Sequence, residues 1–206
     1  NNQSLDTTTI VYSVFLTGNA ANTQNDGATP SLTHFKKRLE RASKNSTALF
    51  LGDNIFPLNG FNQNKTKAEE KITTQLNLTE KFKGKVFLIP GKSDWGISTS
   101  SLLAQENFIS KYKKKESQFI PQNACGIEFV SLSNEVELVA INSQWFLEDW
   151  NEHTEINKGC SIKTREQFFD ELDSHLLENQ EKTILLAIHH PLLSNGIYGG
   201  QYSLNQ

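Results

Sequence analysis

Three short stretches hold most of the side chains able to do chemistry. Gly52 is followed by Asp53 and Asn54, Pro90-Gly91 by Lys92, Ser93 and Asp94, and His189 and His190 precede Pro191. A fourth stretch, Leu16-Thr17-Gly18-Asn19, adds an amide. Carboxylates, amides and imidazoles gathered on one rim are potential ligating groups of a shared site. Taken singly, each stretch has an ordinary structural reading. Asp after Gly is turn chemistry, a histidine at a strand end is commonly a hydrogen-bonded core residue, and Asp94 can cap the turn before Trp95. The functional reading rests on all four lying where strands end.

The elements that must position them follow from hydrophobic periodicity. Thr9–Leu16 is β-branched and aromatic and reads as a buried strand; Ala48–Leu51, Val86–Ile89 and Thr183–Ile188 are shorter apolar runs of the same character. Between them lie helical patterns. Pro30 opens one carrying Leu32, Phe35, Leu39 and Ala42. Thr66 and Glu69 form a capping box for a second with Ala68, Ile72, Leu76 and Phe82, which Gly84 stops. A third is expected from about Ser101 to Lys114, with Leu103, Phe108 and Tyr112 inward and Lys113, Lys114 and Lys115 complementing its dipole in solvent. Ile127–Leu132 and Val136–Ile141 flank Ser133-Asn134-Glu135 as a hairpin. The segment Gln144–Cys160 is a long aromatic loop with Trp145, Phe146 and Trp150, and Thr164 with Gln167 caps a last helix carrying Phe169, Leu172 and Leu176. Strand-helix alternation without repeats or linkers predicts one α/β domain over residues 1–206, with ligating groups at the carboxyl ends of its strands.

Composition narrows the partners. The 206 residues carry 20 Lys+Arg against 23 Asp+Glu, a net charge of −3, so no basic field exists to neutralise a nucleic-acid backbone. No apolar run approaches the roughly 20 residues of a membrane-spanning helix. The chain holds 0 Met and starts at Asn1, and the expectation is a trimmed product whose export signal lay in the removed segment. Cys125 and Cys160 lack zinc-framework or redox spacing. Two readings stay open for them, one disulfide closing a long loop or two inert buried thiols; the disulfide is the expectation for an exported chain.

The set Gly52-Asp53-Asn54-Ile55-Phe56-Pro57, Pro90-Gly91-Lys92-Ser93-Asp94-Trp95-Gly96 and His189-His190-Pro191-Leu192-Leu193-Ser194-Asn195-Gly196 resembles the calcineurin-like metallophosphoesterase superfamily in its purple-acid-phosphatase-like branch. Ile162-Lys163-Thr164-Arg165 and Gly200-Gln201-Tyr202-Ser203 are similar to Bacteroidetes extracytoplasmic metallophosphoesterases, which often occur joined to or encoded with Omp85-type outer-membrane barrels. The resemblance implies two β-sheets sandwiched by helices, with two metal ions (Zn, Mn or Fe) at the strand ends. It also implies that the C-terminal part of the second sheet lies beyond residue 206.

Against that pattern, Asp53 matches the bridging carboxylate and His189 the metal-binding histidine. The other positions depart from it. Asn19 replaces a metal-binding Asp, Lys92 replaces the Asn that binds the second metal, and Ser93 replaces a His that assists the leaving group. Tyr198 stands where the similar proteins usually have His. An ammonium about 4 Å from a divalent ion at an effective dielectric of 20 costs roughly 8 kcal/mol, enough to abolish a metal site. Losing the leaving-group His costs about 10² to 10⁴ in rate.

The expectation is therefore a remnant site (Asn19, Asp53, Asn54, Lys92, Ser93, Asp94, His189, His190, Tyr198) with no functional catalyst and no cofactor. The alternative is a weak metal site through Asn19, Asp53, Asn54 and His189. Lys92 is expected within salt-bridge reach of Asp53 or Asp94, standing in for a metal's charge. The functional expectation is a binding or scaffold component of the cell envelope, periplasmic or outer-membrane associated, with a protein partner such as an Omp85-type barrel. The alternative function is a periplasmic phosphoesterase.

Overall fold

A computed structural model describes residues 10–21, 29–112, 117–151, 153 and 155–193. The elements in chain order are β1 (Ser13–Thr17), α1 (Pro30–Arg41), β2 (Ser46–Phe50), α2 (Lys65–Leu78), β3 (Lys85–Leu88), α3 (Lys92–Trp95), α4 (Thr99–Lys111), β4 (Ser117–Phe119), β5 (Ile127–Ser131), β6 (Val136–Ile141), α5 (Ser143–Leu147), α6 (Arg165–Glu178) and β7 (Thr183–Ile188).

They build two sheets. β1-β2-β3-β4 is wholly parallel and in sequence order, while in β5-β6-β7 the first pair is antiparallel and the second parallel. Strand periodicity sorts the side chains into layers. In β2, Ala48 and Phe50 pack with Leu32 and Leu39 of α1 and with Ile72 and Leu76 of α2. Leu49 between them points the other way, into a cluster with Phe87, Ile89 and Ile120 from the first sheet and Leu138, Ala140 and Ala187 from the second. The second sheet repeats the alternation, since Val139 and Ile141 of β6 share a cluster with Phe168 of α6. The result is a four-layer sandwich of helices, sheet, sheet and helix, which is why all five residues of β2 are buried.

Several local expectations shift. The second helix starts two residues earlier than a Thr66 cap would allow, because the Asn64 side chain accepts the Lys67 N–H at 3.1 Å and caps it. It ends at Leu78, so Phe82 is a buried loop residue beyond it. β1 begins at Ser13, and the Thr9 end of the expected strand lies outside the described residues. α4 spans Thr99–Lys111 and buries Leu102, Gln105 and Ile109, leaving Leu103 38% exposed. The Leu102-Leu103 doublet permits either register, and contact with β4 selects the first. Thr164 caps α6 by accepting the Gln167 N–H at 3.1 Å, while the Gln167 side chain reaches back to the Lys163 N–H at 2.7 Å, one residue short of a capping box. Phe168 is the buried residue of that helix, and Phe169 is 57% exposed. The lysines at 113–115 lie outside the described residues.

Cys125 and Cys160 form a disulfide with Cα atoms 5.6 Å apart, so the disulfide reading holds. It fastens the turn before β5 to the segment before α6. The aromatic loop between them packs inward: Trp145 is fully buried, and its ring is met by Phe146, Trp150 and Phe168. Among the described residues, no helix is long and apolar enough to cross a membrane.

Candidate functional site

The parallel registers decide what meets at the rim. Thr17, Phe50 and Leu88 are level across the first sheet, and Ile141 is level with Ile188 in the second. The residues that follow these positions therefore emerge along one edge of the sandwich. That brings together Gly52-Asp53-Asn54, Gly91 through Asp94, Asn142-Ser143 and His189-His190.

His189 and Asp53 are the centre. His189 Nδ1 lies 2.7 Å from the Leu51 carbonyl oxygen. A carbonyl only accepts, so Nδ1 carries the proton and Nε2 is turned toward Asp53, 3.6 Å from its Oδ1. Asp53 Oδ1 also accepts the Ser93 N–H at 2.9 Å.

Two glycines make this approach possible. Gly52 has φ of 89°, in the left-handed region, and a Cβ there would lie 2.5 Å from His189 Nδ1. At Gly91 a Cβ would press on the Asp53 backbone nitrogen and lie 2.7 Å from Asp53 Oδ1 and 2.8 Å from His189 Cε1. The turn from β2 also places Asp53 itself at φ 56°, a strained conformation for a residue with a side chain.

Asp94 has a different task. It is buried, and its Oδ2 accepts the Gly91 N–H at 2.7 Å, the Asn54 N–H at 3.2 Å and the Asn54 Nδ2–H at 3.0 Å. Its backbone carbonyl accepts from Gln105 Nε2 at 2.9 Å and from the Ser101 hydroxyl. Burial pushes the Asp94 carboxyl up to about 7, with the Asp53 charge adding to the rise, against the lowering effect of the N–H donors. Asp94 ties the β2 turn to the β3 turn, and Asn54, whose Nδ2 also donates to the Ile89 carbonyl at 2.8 Å, is the other half of that tie.

Lys92 departs from expectation. It is exposed, and among the described residues it forms no ion pair with Asp53 or Asp94. Asp94 is answered inside the fold by three N–H groups, and Asp53 Oδ1 accepts the Ser93 N–H. As the first residue of α3, Lys92 is free to reach water. Asn19 is exposed beyond β1 with φ of 48° and, among the described residues, has no hydrogen bond to Asp53 or His189. Tyr198 lies outside the described residues.

Two further rim residues were not anticipated. Asn142 accepts the Trp95 Nε1–H at 2.8 Å, joining α3 to the end of β6. Ser143 Oγ lies 2.8 Å from His190 Nδ1 and accepts the His190 N–H at 3.2 Å. Both follow the carboxyl end of β6, so the strand-end rule that picked out the other stretches also reaches them. Burial, helped by the neighbouring His189 and the Lys92 ammonium and opposed by the Asp53 charge, pushes the His190 imidazole down to about 4.

The residues fit one cation better than two. Donors about 2.1 Å from a common ion at a tetrahedral angle are roughly 3.4 Å apart, close to the Asp53–His189 separation. The Leu51 bond is the outer-shell support that a ligating histidine requires. Against a second ion stand the full burial of Asn54 and the positive charge of Lys92. Among the described residues, no group of three or more His, Cys, Asp or Glu is arranged to hold a metal. Comparisons with family models, curated proteins and solved structures give no match.

Proposed function

We propose that this chain is a catalytically degenerate, metallophosphoesterase-like domain that acts as a binding or scaffold component of the cell envelope. The observation that carries the reading is the state of the β3 turn. The two residues that would serve a second metal and a leaving group are an exposed ammonium, Lys92, and a serine, Ser93, whose N–H is bonded to Asp53. Two-metal phosphoryl chemistry needs a matched clamp on both attacking and departing oxygens, and this turn supplies no ligand for the second ion and no acid. The disulfide suits an oxidising compartment, supporting an extracytoplasmic location. A protein partner at the outer membrane, such as an Omp85-type barrel, follows from the motif resemblance by analogy.

A second reading has its own observation. His189 presents Nε2 to Asp53 with Nδ1 held by Leu51, the posture of a metal ligand, which favours one divalent ion (Zn, Mn or Fe) bound weakly and slow ester hydrolysis. Plasma mass spectrometry of the dialysed protein, beside hydrolysis of a chromogenic phosphate ester with added manganese or zinc, separates the two. The degenerate reading expects less than one metal per chain and no turnover above buffer. Two retained metals with turnover abolished by Asp53→Asn would overturn it.

A further inference from the structure

The first sheet has two edge strands, and they are finished differently. β4 is three residues long, and α4 packs along it. β1 is five residues long, Ser-Val-Phe-Leu-Thr, and among the described residues it pairs with β2 alone. It carries none of the charges, prolines or bulges that keep an edge from accepting another strand.

The backbone of that edge is set by its pairing. Ser13 N–H donates to the Asn45 carbonyl at 3.2 Å, and the Thr17 carbonyl accepts the Leu51 N–H at 2.8 Å. Residues 13, 15 and 17 therefore turn their backbone groups toward β2, while Val14 and Leu16 turn theirs outward. Side chains alternate too, across the faces of the sheet. Phe15 lies on the helix side, where it meets Phe82 edge to face at 6.2 Å. Tyr12 packs against the cluster between the sheets, so Val14 and Leu16 share that face, and Leu16 is 58% exposed.

A groove of about 370 Å³ runs along this edge. One wall is β1 from Val14 to Thr17, and the other is the part of α1 that carries His34, Phe35 and Arg38. This helix and the turn after it are strongly basic. Residues 30–44 hold Lys36, Lys37, Arg38, Arg41 and Lys44 against one carboxylate, Glu40, in a chain whose net charge is −3. His34, Arg38 and Arg41 follow the spacing of one helix face, and all three are exposed. Among the described residues, none of these cations is in an ion pair.

Outward main-chain groups select a polypeptide, because an extended chain offers donors and acceptors at the matching repeat. The two faces then select its side chains. Residues of an added strand on the helix side come beside Arg38 and His34, and those on the other side come beside Val14 and Leu16. The first position suits a carboxylate and the second an aliphatic group.

We propose that this groove docks an extended segment of a partner protein in which acidic and aliphatic residues alternate, added to the first sheet as a fifth strand beside β1. None of its residues belongs to the Asp53 and His189 pair, so the site stands whether or not the rim is degenerate.

The test uses the full chain and a fluorescein-labelled peptide of about eight residues, alternating Glu and Val. The controls are the same residues in two blocks, and alternating Lys and Val. Fluorescence anisotropy should show saturable binding of the first peptide and binding at least about tenfold weaker for both controls. Amide exchange should slow at Val14 and Leu16 when that peptide is bound. Arg38→Glu should weaken binding about tenfold or more and reduce its salt dependence. Leu16→Pro deletes an outward N–H and leaves the β2 ladder whole, so it should abolish binding while amide protection of β2 stays native. Equal binding of the block peptide would reduce the site to a charged surface and overturn the proposal. So would Val14 and Leu16 amides already protected in the chain alone, whether by its own residues 22–28 or by a second copy, the latter seen as a dimer in sedimentation that Leu16→Lys dissolves. No binding of the alternating peptide by the folded chain overturns it too. Each of these outcomes leaves metal content and ester turnover, the measures of the rim, unchanged.

Discussion

His189 of β7 donates its Nδ1–H to the carbonyl of Leu51, just beyond β2, across 2.7 Å. One side-chain bond thereby joins the carboxyl ends of two strands that belong to different sheets. It sets the imidazole tautomer and locks the two halves of the rim in one relation. His189→Asn, which places an N–H near the Nδ1 position, should stay close to wild type in urea unfolding. His189→Ala should lose about 1 to 2 kcal/mol, the range for a partly buried hydrogen bond. Equal losses in the two variants would show that the bond contributes nothing.

Asp94 makes stability depend on pH in an unusual direction. Its folded pKa is about 7 against an ordinary 3.8, so the folded chain holds a proton that the unfolded chain has released. Stability from this group is fully present below about pH 3.8 and falls as the pH rises toward about 7, after which it is constant. The span is on the order of 4 kcal/mol at most. Asp94→Asn removes the titration. The stability difference between wild type and Asp94→Asn, measured by urea unfolding from pH 4 to pH 8, should move against wild type with increasing pH. A constant difference would contradict the shift.

The glycines of the rim can be told apart from ordinary loop glycines. Gly91 has φ of −113°, which any residue adopts, so Gly91→Ala tests contact alone. Its methyl would meet Asp53 and His189, and we expect a loss above about 2 kcal/mol together with altered His189 resonances. At Gly18 a Cβ would meet nothing within 4 Å, and Gly18→Ala should change stability by less than about 0.5 kcal/mol.

The disulfide closes a segment of 35 residues. Chain-entropy reasoning assigns such a crosslink about 3 to 4 kcal/mol. The Cys125→Ser, Cys160→Ser double variant should show that loss in its urea midpoint, and wild type under reductant should match it. A variant as stable as the oxidised chain would mean the denatured state is already restrained in this region.

Much of the architecture was legible because strands and turns announce themselves locally. Val136–Ile141 and Thr183–Ile188 have the predicted bounds, since each is an apolar run set between polar turns. The hairpin of β5 and β6 pairs antiparallel as expected. Helix starts were less legible. Thr66 and Asn64 both satisfy capping chemistry, and only the packed chain shows that Asn64 does it. At the rim, strand ends identified the right stretches, yet chemical type did not reveal allegiance. Asn54 and Asp94 look like ligands but bond each other inside the fold, Lys92 looks like their counter-ion but faces solvent, and Ser143 carries no signature until β6 and β7 lie parallel. Such distinctions depend on burial and on which groups are already satisfied.

The bond between Leu51 and His189 spans 138 residues of chain. A contact of that separation gains nothing until a very long loop has closed, so it is a late event in folding. The first sheet can pair its strands in sequence order without β7, and the second can form its hairpin alone; neither then has a rim. His189 reaches Leu51 only when the two sheets have docked face to face. Occupancy of this bond is therefore a reporter of complete assembly, and exchange protection of the β2 turn should appear after that of either sheet.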